Sequence, residues 1–336
     1  MIHRQICSSY WLFSLLSILI TFLRLISFSH YVHSLPKELS IIAGPASPDL
    51  ASKIAKQLGA ELIPVEVQIF TDGESKIRMD KVENKHCIIV QSTYPPADRH
   101  IIQTLMMIKK CRDDGAADVC TVIPYMAYAR QDRSFLHGEV VSIELIAHLL
   151  EATGTNRMLT IDIHNVNALS YFKIDIKNIS AIPPLANYAR RNMKLNKPIV
   201  ISPDIGGMVR AEQFAHILGT EMICLKKHRD RKTGEVHITA ANLSSLIIGR
   251  DVIIIDDMVS SGMSIIKACD VLKKNKCGKI YVMCTHALLL KGAKERIRLA
   301  GVQDIIATNS IPSEFARVDL SFDVSSALNS LANTYS

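Results

Sequence analysis

Little in this 336-residue chain marks a fibrous or low-complexity protein: its 15 glycines and 12 prolines are too few for a collagen-like or Pro/Gly-rich chain. Cysteine is sparse as well. The eight stand at positions 7, 87, 111, 120, 224, 269, 277 and 284 with no C-x-x-C pair. Several lie in apolar runs such as Cys87-Ile-Ile-Val, which predicts buried, reduced thiols in a cytosolic protein. The 12 histidines are scattered, without H-E-x-x-H or zinc spacing. No Lys/Arg block of the kind a nucleic-acid arm needs is present, although 39 Lys+Arg against 32 Asp+Glu give a net charge of +7,. No nucleic-acid partner is expected, and the mild excess suits a small anionic substrate equally well. What is there is core material: 48% apolar and 21% charged residues, over a length that suits about two domains.

The first 38 residues differ from the rest. From Gln5 to Leu23 run 19 uncharged residues, with Arg4 before them and Arg24 after. That is long enough for a spanning helix or an uncleaved signal anchor. The alternative is a misplaced start, an upstream stretch fused to a cytosolic protein whose own start is Val32 or Leu35. A membrane partner follows only from the first reading.

Beyond Pro36 apolar, β-rich runs alternate with helical patterns. Strands are predicted at 39–43, 61–65, 87–91, 119–123 and 158–163, then at 199–202, 221–225, 251–255, 279–284 and 304–307. Helices are predicted at 47–58, 100–113, 143–151, 207–218 and 264–274. Near-continuous Ile/Val strands are buried on both faces, so the pattern predicts parallel sheets covered by helices. It occurs twice, with a seam near 176–195 marked by Pro183-Pro184. The fold expected is α/β, with two domains of related design.

Chemistry in open parallel sheets collects in loops beyond the carboxyl ends of the strands. The strongest such segment is Asp251-Val-Ile-Ile-Ile-Asp256-Asp257-Met258-Val259-Ser260-Ser261-Gly262-Met263-Ser264. An apolar strand delivers two carboxylates, then a Ser/Gly turn opens a helix whose first N–H groups suit a phosphate. Ser260, Ser261 and Ser264 add hydroxyls, Gly262 lets backbone approach the anion, and the paired carboxylates suit the cis-diol of a ribose. A plain Ser cap after a strand ending in Asp is the structural alternative.

This segment resembles the phosphoribosyl-pyrophosphate motif shared by phosphoribosyltransferases and ribose-phosphate pyrophosphokinases, Asp-Asp followed two residues later by Asp/Ser-Thr-Gly-Gly-Thr. Ser261 stands for the Thr, Ser264 for the last Thr, and Met263, the main departure, for the second Gly. Five further segments resemble the pyrophosphokinases alone. Phe70-Thr-Asp72-Gly73-Glu74 is similar to their adenine-binding segment. Tyr128-Ala-Arg130-Gln131-Asp132-Arg133 is similar to their Ala-Arg-Gln-Asp-Arg run, which suits a polyphosphate. Asp162-Ile163-His164 and Ser202-Pro203-Asp204-Ile205-Gly206-Gly207 resemble the segments whose His and Asp hold the magnesium of Mg-ATP. Lys226-Lys227-His228-Arg229 resembles the catalytic flexible loop, with Lys227 and Arg229 at its first and third cationic positions.

The resemblance covers about residues 39–315. It implies two domains of phosphoribosyltransferase type, at 39–182 and 183–336, and a cytoplasmic homo-oligomer built from dimers up to a hexamer. It implies Mg2+-dependent transfer of the β,γ-diphosphoryl group of ATP to the C1 hydroxyl of ribose 5-phosphate, giving phosphoribosyl pyrophosphate and AMP for nucleotide biosynthesis. The site residues implied are Lys227 and Arg229 for catalysis; Phe70, Asp72, Gly73, Glu74, Arg130 and Gln131 for ATP; and Arg229, Asp256, Asp257 and Ser260–Ser264 for the sugar phosphate. His164 and Asp204 are implied for the metal. Two rivals make different demands. A phosphoribosyltransferase would share only the Asp256–Ser264 loop. A non-catalytic regulatory homologue would have lost Lys227, Arg229 or His164, and all three are intact.

Overall fold

The structure, a computed structural model, describes residues 38–229, 236–239 and 243–332. The N-terminal apolar run lies outside them; among the described residues no helix is long and apolar enough to cross a membrane.

Strand β1 (Leu39–Ala43) has all five residues buried, as a strand covered on both faces must,. Helix α1 (Pro48–Leu58) starts on a proline, whose missing N–H is no loss in a first turn, and buries Leu50, Ala51, Ile54 and Ala55 on one face,. There follow β2 (Glu61–Pro64), an antiparallel ribbon of β3 (Glu66–Ile69) and β4 (Ser75–Arg78), β5 (His86–Val90) and α2 (Ala97–Asp113). β6 (Asp118–Ile123), α3 (Ser142–Thr153), β7 (Arg157–Ile161) and β8 (Asp175–Ile179) complete the first half. The second half runs α4 (Ile182–Asn192), β9 (Ile199–Ser202), α5 (Met208–Leu218), β10 (Met222–Cys224), and a second ribbon of β11 (Lys226–Arg229) and β12 (Val236–Thr239). α6 (Leu243–Ile247), β13 (Val252–Val259), α7 (Met263–Lys274), β14 (Ile280–Ala287), α8 (Ala293–Leu299), β15 (Val302–Thr308), β16 (Ala316–Val318) and α9 (Ser321–Ala332) follow.

The strands form two six-stranded parallel sheets, ordered β2-β1-β5-β6-β7-β8 and β10-β9-β13-β14-β15-β16. Counted within each half, both orders are second, first, third, fourth, fifth, sixth. In both, a two-stranded ribbon is inserted after the second strand. The expected α/β pair of related design is thus present.

Three details differ from the sequence reading. The seam near 176–195 holds β8 and α4, because Pro183 and Pro184 sit in the first turn of α4, where proline is tolerated,. β7 stops at Ile161, so Asp162–His164 lies beyond the sheet. β13 continues to Val259, so Asp256 and Asp257 lie inside the strand rather than at its tip.

The halves share a core. One apolar cluster takes Ile41, Ile88 and Leu159 from the first sheet, Ala186 and Phe214 from α4 and α5, and Ile253, Ile255 and Met283 from the second sheet. α9 returns to the first half and lies on α1, with Lys53 Nζ 2.8 Å from Asp319 Oδ2 and Gln57 Nε2 donating to Ser321 Oγ at 2.8 Å.

A buried polar seam also joins the sheets. Fully buried His286 on β14 donates from Nε2 to the Ile161 carbonyl at 3.0 Å, and its Nδ1 meets Ser310 Oγ at 2.9 Å. Burial holds this imidazole neutral, with its pKa below the ordinary value,. Below about pH 6.5 the unfolded chain takes up a proton here that the native fold refuses, so this site erodes stability as pH falls. Between pH 7.5 and 5.5 the wild-type urea midpoint should therefore fall further than that of His286→Gln. Parallel pH profiles would refute the assignment.

Candidate active site

The site is built around two adjacent carboxyls on β13. Asp257 has only 3% of its side chain exposed, and both its oxygens have cationic or N–H partners. His164 Nδ1 lies 2.7 Å from Oδ2, and Arg210 Nη2 donates to Oδ1 at 3.1 Å. Burial alone would raise the pKa of Asp257. The His164 hydrogen bond and the Arg210 guanidinium outweigh it and hold the carboxyl well below its usual range,. Asp256 goes the other way: burial, then the neighbouring Asp257 charge, push it well up. Two carboxyls side by side, driven apart in acidity, are the mark of a site prepared to handle hydroxyls and charge. They also face differently. Asp256 keeps 21% of its side chain exposed, whereas Asp257 is enclosed, so the pair read from sequence as equal acceptors divides into an open member and an orienting member.

An ionised carboxylate only accepts, so His164 carries its proton on Nδ1. In the neutral ring Nε2 is then a lone-pair donor on the exposed side, an arrangement common for ligating histidines. Asp204 caps a short 3-10 turn, its Oδ1 accepting from Gly207 N–H at 3.2 Å while Ser202 Oγ donates to its carbonyl at 2.7 Å. Its charge adds to the elevation of Asp256. His164 and Asp204 thus border the carboxyl pair from the two halves. Among the described residues no group of three or more His, Cys, Asp or Glu could hold a metal. One imidazole and one carboxylate fit a magnesium ion that keeps most of its waters and arrives with a polyphosphate.

Arg210 is the residue that sequence reasoning passed over. It sits in the first turn of α5, where a cation opposes the helix dipole,. That was the available signal: such a cation needs a counter-charge, and here it is Asp257, with Asp256 at 3.9 Å.

Beyond β13 the turn is held from outside. Leu290 N–H donates to Ser260 O at 3.1 Å, and Arg296 Nη2 to Ser261 O at 3.2 Å. Gly262 has φ +77°, and a Cβ there would lie 2.7 Å from Ile297 of α8. The left-handed backbone therefore favours a glycine here, and the Ile297 side chain would have to give way to any Cβ,. α7 begins at Met263 without any side-chain cap, leaving its first-turn N–H groups directed at the Ser260–Ser261 side. Met263, half exposed, projects from this rim.

The Arg130 segment reaches the same place. Arg130 Nη2 donates to the sulfur of Met258, the residue after Asp257, at 2.7 Å. Gln131 instead gives its amide to Glu139 at 3.1 Å and so closes its own loop. Asp132 accepts from Asn165, the neighbour of His164.

Phe70, Asp72, Gly73 and Glu74 form the tip of the β3–β4 ribbon, apart from both large sheets. Phe70 N–H donates to Glu74 O at 2.9 Å, Glu74 N–H to Asp72 Oδ1 at 3.1 Å, and Gly73 takes φ +95°. Phe70 is 42% exposed. The structure does not join this tip to the Asp256–Asp257 centre through the contacts described here. Lys227 and Arg229, expected in a loop, lie in β11, paired with Ile238 and Val236. The Phe70–Glu74 and Lys227–Arg229 segments therefore belong to the equivalent ribbons of the two halves.

Comparison with known proteins agrees. Residues 39–154 match the family model described as the N-terminal domain of ribose phosphate pyrophosphokinase, and residues 239–328 that of the phosphoribosyl synthetase-associated domain. A ribose-phosphate pyrophosphokinase of Sulfurisphaera tokodaii is 36% identical over 290 residues, 86% of this chain and 98% of its own. That of Methanopyrus kandleri is 34% identical over 87% of this chain and 99% of its own. The crystal structure of phosphoribosylpyrophosphate synthetase from Mycobacterium smegmatis superposes with a TM-score of 0.78 at 25% identity, covering 89% of this chain and 100% of that one.

Proposed function

Because the chain belongs to the ribose-phosphate pyrophosphokinase family, we propose that it transfers the β,γ-diphosphoryl group of ATP to the C1 hydroxyl of ribose 5-phosphate. The products are phosphoribosyl pyrophosphate, for nucleotide biosynthesis, and AMP. The observation that carries this reading is the convergence of His164, from one half, with Arg210, Asp256 and Asp257 from the other.

In this mechanism the sugar phosphate rests on Ser260–Ser264 and the first turn of α7. Its diol is gripped from the open side by Asp256, with Asp257 behind. ATP lies along Arg130, in the loop that Gln131 closes, with its base at Phe70, Asp72, Gly73 and Glu74. The anomeric oxygen attacks the β-phosphorus, and the bond from that phosphorus to the oxygen shared with the α-phosphorus breaks. That oxygen leaves on AMP. Lys227, Arg229 and Arg130 neutralise the charge gathering there, which is where a preorganised cation lowers the barrier most. His164 and Asp204 would hold Mg2+, which would supply further neutralisation of the polyphosphate. The division at residue 182, a cytoplasmic setting and a dimer-based homo-oligomer belong to the same reading.

Mixing the purified protein with ATP, Mg2+ and ribose 5-phosphate should release AMP only when the sugar is present. Sugar-independent AMP, or none, would overturn the proposal. His164→Ala and Asp204→Ala should each raise the Mg2+ concentration needed for half-maximal rate while the fold survives; unchanged dependence in both would remove the metal assignment. Asp72→Ala should weaken ATP far more than ribose 5-phosphate. Equal losses for the two substrates would count against a role at the base.

A further inference from the structure

The pair Thr285–Asp162 stands outside the machinery described above, yet it sits beside it. Asp162 is buried and follows the last residue of β7. Its backbone has φ +40°, a left-handed conformation that costs a non-glycine residue free energy and persists only where neighbours enforce it,. The enforcing contacts are clear. Asp162 Oδ2 accepts from Thr285 Oγ1 at 2.6 Å and from Ala181 N–H at 3.0 Å, while its own N–H donates to Ile179 O at 2.9 Å. One residue earlier, the Ile161 carbonyl takes the His286 Nε2–H. One residue later, Ile163 N–H donates to Asn178 Oδ1 at 3.0 Å.

Register gives these contacts their meaning. β13 and β14 pair in parallel with Asp256 opposite Cys284 and Met258 opposite His286. Thr285 therefore stands level with Asp257 on the neighbouring strand. Two adjacent strands of the second sheet grip one short segment of the first at the same height: Thr285 takes residue 162 and Asp257 takes residue 164. We infer that Thr285, through Asp162, is a positioning residue for the reaction, a pin that fixes the turn after β7 so that the His164 ring meets Asp257 with Nε2 outward. This rests on the reading of His164 under Proposed function. The pin itself is a statement about ring orientation and can be tested without turnover.

In the full chain, Thr285→Val keeps the shape and removes the donor, while Thr285→Ser restores it. Thr285→Val should lower kcat about 10- to 100-fold, the scale of a misaligned reacting group, and raise the Mg2+ requirement. KM for ribose 5-phosphate, whose cradle begins at Ser260, should stay within about twofold. Thr285→Ser should recover most of the rate. Side-chain nitrogen NMR of His164, assigned through His164→Gln, should show the Nδ1–H tautomer in the wild type and in Thr285→Ser, and a mixture in Thr285→Val. That readout stands even if no AMP is formed, so failure of the catalytic proposal and failure of the pin are separable. A Thr285→Val enzyme with lowered melting temperature but wild-type kcat, metal dependence and His164 signal would overturn the inference. So would a Thr285→Ser enzyme as impaired as Thr285→Val. Should Thr285→Val not fold, Asp162→Asn, isosteric but a weaker acceptor, should shift the same readings in the same direction; wild-type values there would also overturn it.

Discussion

Lys227→Ala is expected to turn over about 10²–10⁴-fold more slowly than the wild type, roughly 3–5 kcal/mol in the barrier, while still binding ATP and ribose 5-phosphate. Charge develops on the bridging oxygen only as AMP departs. A cation delivered to that oxygen stabilises the transition state more than the bound substrates. Its removal should therefore appear in kcat and leave KM nearly unchanged. Lys226→Ala is the internal control. Lys226 pairs with Thr239 and Lys227 with Ile238 in the β11–β12 ribbon, and only Lys227 matches the motif. A dead Lys226 variant beside an active Lys227 variant would shift the catalytic position by one residue. Two active variants would end the catalytic role of the ribbon.

The second large effect belongs to Asp257→Asn. The carboxylate is enclosed between His164 Nδ1 at 2.7 Å and Arg210 Nη2 at 3.1 Å. An amide of the same shape turns an N–H toward one of these donors and leaves the guanidinium without its nearer counter-charge, with Asp256 at 3.9 Å. Breaking a buried pair by removing one partner costs about 3 kcal/mol or more. Loss of the group that orients His164 should lower kcat about 100-fold as well. The stability deficit has a pH signature. Because the pairing holds the Asp257 pKa below its unfolded value, its contribution is fully present above about pH 4 and is lost as pH falls through the native pKa,. The gap between wild-type and variant melting temperatures, wide at pH 7, should begin to close below about pH 4. A gap of constant width would mean that the charge is not what stabilises.

What could be read in the sequence depended on burial. Strands such as β1, β9 and β13 are covered on both faces, so their Ile/Val runs announce them without further context. β8 is an edge strand of sequence DIKNI with no fully buried residue, and it carries no such signal. α4 was hidden by its own proline pair, which looks like a linker until the first-turn exemption is applied,. The ribbons are short and polar, so they read as loops. In the site, residues carried by consecutive motifs were legible: Asp256, Asp257, His164, Asp204 and Arg130 do come together. What sequence could not supply is pairing across the halves. Nothing local says that Asp257 faces His164 and Arg210, or that Thr285 reaches residue 162, because those contacts are fixed by how two sheets meet.

The return of α9 to the first half sets an order of events during synthesis. Lys53 and Asp319, which join α1 to the start of α9, are 266 positions apart. Closing so long a loop is slow relative to local folding. A ribosome delivers β1 through β8 and all of α1 long before the helix that covers α1 has been translated. Until then Leu50 and Ile54 lack neighbours such as Val324 and Leu328, with which they share a cluster in the finished fold. The first half thus waits, partly uncovered, for the last described helix, and a nascent chain halted at Leu320 would already carry every residue assigned to catalysis here but not the piece that seals its opening half.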